Sequence, residues 1–377
     1  MDFTLTGEQQ LLADGLRKFL TSRYDLSTSR TAAATGSGMQ QEIWRSFADE
    51  LGLLDVLLPE SVGGAGGGAE ELMIITEELG RALVVEPYIG TAVIAAGLLE
   101  RSQSPAAESL LRAIGDGRAI VALAAGESAA GDNWRSVTTT ARRFGDGWVL
   151  DGAKSVVLDA PLATHLLVTA RTSGAPDDVA GISLFLVNPK AAGVTLREYR
   201  TIDDRRGADL VFERVAAETL LGPEGGAWPS LARARDVGAV AVSSEAVGCM
   251  RTVLHDTVEY TKQRKQFGAP IGSFQVLQHR MVDMMMELEQ AVAAVHLAVL
   301  NLDADEHTRA RTTSVAKATV GRAARFVGQN AVQLHGGMGM TEELAIGHYF
   351  KRLTAVQYEF GTTDSHRSRY AALTREV

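Results

Sequence analysis

The sequence predicts an α+β protein in three successive parts, helical, then stranded, then helical, and three observations carry that expectation. Apolar residues recur at helical spacing up to about residue 118. The period changes to that of short strands between 119 and 226, and a long helical pattern returns from 227 almost to the end. The corresponding domains are 1–118, 119–226 and 227–377. With 377 residues, 46% of them hydrophobic, the chain can bury a core large enough for two or three domains.

In the first part, Thr6 and Gln9 have the spacing of a capping box, and Leu12, Leu16, Phe19 and Leu20 follow on one helical face. Ile43, Trp44, Phe47 and Leu51 repeat the pattern and stop at Gly52. The small, polar stretch 27–38 between them reads as a mobile loop. The glycine cluster SVGGAGGGAEE at 61–71 is superficially like a dinucleotide fingerprint. No strand precedes it and no βαβ unit follows, so a Rossmann domain is not expected and the glycines read as slack between helices.

The middle part holds seven strand-like runs, at 120–125, 137–144, 148–158, 165–170, 182–187, 194–199 and 210–212, with Gly145-Asp146-Gly147 as a hairpin turn. Seven short strands predict a barrel or sandwich. A loop, LGPEGGAW at 221–228, leads into the last helical part, which is interrupted at 268–272 and 336–339.

Charge and composition narrow the function. The net charge of -9 is spread without long single-sign runs, which argues against nucleic acid or an anionic membrane as main partner. Cys249 is the only cysteine and lies in the small-residue run SSEAVGCM, so it reads as a buried structural thiol. The eight histidines have no metal-type spacing, and there is no G-x-S-x-G elbow. The first residues carry no basic-then-apolar signal pattern, and no apolar run is expected to reach the roughly 18 residues of a membrane span. The expected location is therefore the cytoplasm, with no metal site and no membrane span.

Two segments carry chemistry. YTKQRKQFGAPIGSFQVLQHRMVDM, 260–284, ends a helix with Arg264 and Lys265, stops it at Gly268 and Pro270, and sets Phe267 beside the charge. A flat ring bearing a pyrophosphate could dock there; the plainer reading is a helix-turn-helix corner with solvated basic residues. NAVQLHGGMGMT, 330–341, offers the Gln333 amide and, at Gly336, Gly337 and Gly339, backbone that a ligand can approach closely.

Together these segments closely resemble the C-terminal half of the acyl-CoA dehydrogenase family. The matching runs are R-x-Q-F-G-x-P-I-x-x-F-Q at 264–275 and Q-x-H-G-G-x-G at 333–339. The order helices, strands, helices extends the resemblance over essentially the whole chain. It implies the fold of that family: an N-terminal helical domain, a central β-barrel or sandwich and a C-terminal four-helix bundle. It also implies FAD bound at a subunit interface. A carboxylate would take the α-proton of an acyl-CoA thioester, a hydride would pass from the β-carbon to the flavin, and the electrons would leave through an electron-transfer flavoprotein. By the same resemblance, Arg264, Phe267, Gln275, Gln333, Gly336 and Gly337 would embrace the adenosine and pyrophosphate part of FAD carried by a neighbouring subunit.

The chain departs from the family at the flavin ring and at the base. Where members carry T-E-P and G-S-D, the stretch 123–133 reads LAAGESAAGDN, with only Glu127 in common. The family strand K-x-W-I-T appears as Lys154-Ser155-Val156-Val157-Leu158, which removes a stacking face and a hydroxyl. The usual Y-E-G-T loop reads Tyr358-Glu359-Phe360-Gly361-Thr362, which puts Phe360 at the position of the base. On a helix, a one-residue offset rotates Glu359 by about 100° away from the substrate unless the loop bulges. Members that take their base from the preceding helix match Gly238 here. Glu245, two turns on, is the other candidate, with a salt bridge to an arginine as its alternative role.

The tail FKRLTAVQYEFGTTDSHR, 350–367, most resembles the small subunit of pimeloyl-CoA dehydrogenase and similar two-component members of the family. Three readings follow: a subunit that completes the flavin site of a second acyl-CoA dehydrogenase chain in a hetero-tetramer, a self-sufficient homo-tetrameric enzyme using Glu359 or Glu245, and a flavin-free scaffold. The acyl-CoA is not specified by any cluster of cations; pimeloyl-type and steroid side-chain thioesters come from the resemblance alone.

Overall fold

A computed structural model describes residues 5–35 and 38–375. The chain divides into two compact units that interleave in sequence. One comprises Met1–Thr28, Ala69–Val84 and Ala239–Val377, the other Ser29–Gly68 and Val85–Gly238.

Helix α1 (Gly7–Arg23) starts where the capping box predicts. The Thr6 hydroxyl accepts from Gln9 N at 3.2 Å and the Gln9 side chain accepts from Thr6 N at 3.0 Å. Its face of Leu16, Phe19 and Leu20 is buried. The stretch expected as a loop is instead largely α2 (Leu26–Ala34), because Asp25 accepts from both N and Oγ1 of Thr28 and the alanine run that follows favours helix. The rest of that stretch includes Gly36 and Ser37, which lie outside the described residues. Helix α3 (Gln41–Asp49) buries Ile43, Trp44 and Phe47.

The glycine cluster is not slack. The amides of Gly64, Ala65, Gly66 and Gly67 donate to carbonyls of residues 55–59, and a Cβ on Gly64 would collide with the Leu58 backbone. It is a close-packed turn ahead of α4 (Ala69–Arg81). Helices α5 (Ala96–Ser102) and α6 (Pro105–Gly115) complete this part, the former preceded by a π-helical stretch, Ile89–Ala95.

The strands are β1 (Val121–Ala124), β2 (Thr140–Phe144), β3 (Gly147–Leu158), β4 (His165–Arg171), β5 (Ile182–Val187), β6 (Val194–Arg200), β7 (Arg206–Ala216) and β8 (Thr219–Leu221). They form one mixed sheet in the order β6-β7-β3-β2-β4-β5-β8, with β1 pairing β4 in parallel. The β2–β3 hairpin turns at Gly145-Asp146 with Gly145 at φ 59°. One core cluster draws Trp148, Leu150, Leu166, Val168, Phe185, Leu210 and Phe212 from four strands, so the sheet wraps around a single interior. The run 210–212 underestimates β7, and β8 escapes the sequence reading. Both are strands whose partners, β3 and β6 for β7 and β5 for β8, decide their extent, while their own patterns are broken by charge or brevity.

The last part consists of α7 (Trp228–Gln263), a two-residue hairpin of β9 (Lys265–Gln266) and β10 (Ala269–Pro270), α8 (Gln275–Leu300), α9 (Glu306–His335), α10 (Ala345–Ala355) and α11 (Thr363–Arg375). A further helix break falls before α9, where Asp305 caps the new helix by accepting from Thr308 N at 3.0 Å. Helix α7 corrects the expectation about apolar length. It is 36 residues long, holds an 18-residue window of mean hydropathy 1.3, and 78% of that window is buried within the protein, so packing consumes its apolar surface. Glycines let α4 and α7 touch backbone to backbone: a Cβ on Gly80 would strike Glu245 O, and one on Gly248 would strike Glu77 O. At that crossing the buried Cys249 thiol donates to Gly80 O at 3.2 Å.

Candidate functional site

The two motif segments meet at the C-terminal ends of α7 and α9. The Tyr260 ring stacks on His335 with centroids 4.3 Å apart, and its hydroxyl donates to His335 O at 3.4 Å. The His335 ring in turn contacts Ala331 O at 2.8 Å. Tyr260 is one helical turn before Arg264 and His335 adjoins Gly336, so this stack fixes one motif against the other. The β9–β10 turn has positive φ at both central residues, Phe267 at 54° and Gly268 at 79°, as a tight hairpin requires. That geometry leaves the Phe267 ring 95% exposed, edge-on to Phe274 at 6.3 Å.

Arg264, Gln275 and Gln333 are also exposed, and the Arg264 side chain has no hydrogen bond or ion pair among the described residues. The glycines differ in their reasons. Gly339 is packed against Val332, and Gly336 has φ 62°, but Gly337 has an ordinary φ and open space where a Cβ would lie. Nothing among the described residues lies within 4 Å of where a Cβ on Gly337 would be. An unengaged guanidinium, an exposed ring, two amides and open glycine backbone fit the nucleotide half of FAD.

The residues expected near the flavin ring lie in the other compact unit. Glu127 and Lys154 form a buried ion pair, with Nζ to Oε1 at 2.7 Å. Glu127 also accepts from Thr138 N at 2.8 Å, Thr139 N at 3.0 Å and the Thr138 hydroxyl, while Lys154 donates to Thr169 Oγ1 at 2.9 Å. Burial opposes the charge on Glu127, but the Lys154 ammonium and the Thr138 donors outweigh it and hold the carboxyl down at about 2. Burial lowers Lys154 to about 8 against the pull of Glu127, so both remain charged at neutral pH. Glu127 is thus a staple between the loop after β1 and strands β2 and β3.

Two residues beyond the lysine, the β3–β7 register slips between Lys154 and Val157. Val156 adopts φ 52° at this bulge, its amide donates to Asp209 Oδ1 at 3.0 Å, and its side chain is 64% exposed. The bulge therefore presents residue 156 outward, but valine supplies no stacking face for a ring.

The two candidate bases converge on one guanidinium. Arg352 on α10 donates from Nε and Nη2 to Glu245 at 2.9 and 2.5 Å, and from Nη1 and Nη2 to Glu359, the latter at 3.2 Å. Arg352 and Glu245 are buried and Glu359 is nearly so. Glu245 has the arginine partner that was its alternative reading. The helical-rotation expectation for Glu359 does not apply, because α10 ends at Ala355 and 356–360 is a turn with Phe360 at φ 55° and Gly361 at φ 113°. Arg352, not helix phase, orients Glu359.

That turn is held by residues the motifs did not disclose. Lys317, fully buried on α9, donates to Val356 O at 2.9 Å and Gly361 O at 2.8 Å, and the buried His366 ring contacts Phe360 O at 3.0 Å. The available signal was a lysine on the helical face of Ala310, Ser314, Gly321 and Ala324, where a solvated cation would not be placed.

Comparison with known proteins identifies the family. Residues 6–112, 122–215 and 228–373 match the N-terminal, middle and C-terminal domain models of acyl-CoA dehydrogenase. The chain is 30% identical over 346 residues to the acyl-CoA dehydrogenase IpdE2 of Mycobacterium tuberculosis, covering 92% of this chain and 90% of that one. It is 28% identical over 340 residues to a 3-(aryl)acrylate reductase of Clostridium sporogenes, covering 86% and 87%. Among solved structures, a variant of the Tcur3481-Tcur3483 steroid ACAD superposes with a TM-score of 0.89 at 31% identity, covering 99% of each chain. The chain belongs to the acyl-CoA dehydrogenase family, FAD-dependent oxidoreductases acting on CH–CH bonds of acyl-CoA thioesters.

Proposed function

We propose that this chain acts as a subunit of an acyl-CoA dehydrogenase that desaturates the α,β bond of an acyl-CoA, and that its C-terminal seam holds the nucleotide half of FAD carried by an adjoining protomer. The observation that carries this reading is that the Tyr260–His335 stack brings together the segment of Arg264, which has no side-chain partner among the described residues, and that of Gly337, whose backbone is open where a Cβ would lie. Arg264 would pair with the pyrophosphate, Phe267 would pack on the adenosine, and the amides of Gln275 and Gln333 would donate to its polar atoms. Gly336 and Gly337 would let the cofactor reach the backbone. When bound, FAD supplies the hydride acceptor. An electron-transfer flavoprotein is the proposed reoxidant. Val276, Val282, Met285 and Met286 leave apolar surface exposed on α8, which suits a protomer contact.

A second reading concerns the protomer. Both candidate carboxylates for the α-proton, Glu245 and Glu359, have their oxygens engaged by Arg352. This favours a hetero-oligomer in which a different acyl-CoA dehydrogenase chain supplies the base, as in the two-component members that the tail resembles. Expression with and without the neighbouring reading frame, followed by flavin-to-protein stoichiometry and dye reduction with acyl-CoA, tests both readings. Flavin bound and acyl-CoA oxidised only when two chains co-purify supports the hetero-oligomer. Full flavin and activity in the chain alone removes the need for a partner, and no flavin in either preparation refutes the proposal as a whole.

A further inference from the structure

Three elements converge on the turn that carries residues 356–361. From α9, the Lys317 ammonium caps the end of α10 by donating to Val356 O and, more weakly at 3.5 Å, to Gln357 O, and it reaches Gly361 O across the turn. Carbonyls at a helix C-terminus are where a cation is favoured, and here the cation is wholly buried. From α11, the His366 ring meets Phe360 O at 3.0 Å and, with its other nitrogen, the Ser314 hydroxyl at 3.4 Å. Gly361 is bare for this reason: a Cβ there would lie 2.7 Å from His366 Nε2. From α10, Arg352 donates to the Glu359 carboxylate. The left-handed backbone of Phe360, costly for a residue with a Cβ, persists because its neighbours are held on every side.

We propose that Lys317 and His366 are positioning residues for the reaction: by holding the carbonyls of Val356, Phe360 and Gly361 they fix which side chain of the 358–361 turn is available at the proton-abstraction position and which is committed to Arg352. The inference rests on the reading of this turn as the family's base loop. It accounts for the one-residue displacement of the glutamate, since the clamp acts on backbone atoms and would hold the same path whichever side chain stood at 359 or 360.

The test uses the full-length protein in its native oligomer, with Lys317→Met, His366→Leu and His366→Gln. Deuterium uptake is followed at amides 357–361 and in the flanking helices α10 and α11, and kcat and KM are measured separately for acyl-CoA-dependent dye reduction. Lys317→Met and His366→Leu should raise uptake in the turn while α10 and α11 stay protected. In a Phe360→Glu background, which puts a carboxylate at the base position, they should also lower kcat by about 100-fold relative to Phe360→Glu alone with KM changed far less, as displacement of a reacting group by about 1 Å does. His366→Gln, which keeps a donor to Phe360 O, should recover part of both losses. Unchanged uptake at 357–361 in Lys317→Met overturns the clamp. Equal loosening of the turn and both helices, or a loosened turn with the kcat of Phe360→Glu alone in that background, overturns the positioning role. Absence of acyl-CoA oxidation in the unsubstituted oligomer would defeat the proposed function instead, and in that case the uptake measurement alone decides the clamp.

Discussion

Replacing Glu127 by Gln isolates the buried ion pair that ties the loop after β1 to the sheet. Gln retains one acceptor oxygen for Thr138 or Thr139 but leaves the Lys154 ammonium, whose side chain is wholly inaccessible, with only Thr169 Oγ1 and Ala125 O. Two routes give its size. The Glu127 carboxyl sits at about 2 against an ordinary 4.5, which corresponds to about 3 kcal/mol. Removing one member of a buried pair costs about 3–5 kcal/mol in general. For a compact unit of this size that is a fall in Tm of about 6–20 °C, readable by calorimetry on the full-length protein.

The sign with pH follows from the lowered carboxyl. Its stabilisation is complete above about 4.5 and is lost as the pH falls towards about 2, so the gap between wild type and Glu127→Gln should narrow on acidification from pH 6 to pH 3. The double variant Glu127→Gln, Lys154→Met should recover most of the loss, since it leaves no uncompensated charge. A deficit under about 1 kcal/mol, a gap that does not change with pH, or a double variant as unstable as the sum of the singles would each refute the reasoning.

Three further outcomes are expected. Gly337→Ala should leave Tm within about 1–2 °C, because a Cβ there meets nothing within 4 Å, yet weaken FAD retention in the purified oligomer, as should Arg264→Gln; full retention of flavin in both would empty the seam of its role. Arg171→Met should destabilise the sheet unit by about 3–5 kcal/mol in a urea titration, because that guanidinium donates to the carbonyls of Arg135, Val137, Ser173, Pro176, Asp178 and Ala180, of which, among the described residues, Pro176 alone keeps a backbone donor, Val137 N. Phe360→Glu, which restores a carboxylate at the family's position on a turn already held by Lys317, should raise acyl-CoA-dependent dye reduction by about 100-fold over a chain lacking its own base; no gain would mean that the proton is taken elsewhere.

Much of the fold was legible because its signals are local. The Thr6–Gln9 capping box, the hairpin at Gly145 and the period of most strands depend on a few adjacent residues, and all appear as read. Errors fall where distant atoms outvote local composition. Asp25 and an alanine run make a helix of a small, polar stretch, and backbone donors to 55–59 turn a glycine run into a packed corner. Pairing with β3 and β6 extends β7 well past its apolar centre.

The candidate site divides in the same way. The sequence alone marked out the residues proposed for the nucleotide seam, because Arg264, Phe267, Gln275, Gln333, Gly336 and Gly337 stand at the family's spacing and can be picked out without knowing their neighbours in the fold. It also put Val156 and Phe360 where the family resemblance leads one to expect a stacking ring and a carboxylate. Only the tertiary structure decided what Glu127, Glu245 and Glu359 do. A carboxylate is base or counter-ion according to the cation facing it, and Lys154 and Arg352 lie 27 and 107 residues away from the glutamates they bind, Arg352 also holding Glu359 seven residues on. Burial makes those pairings compulsory, since a charge removed from water must find its partner inside the fold.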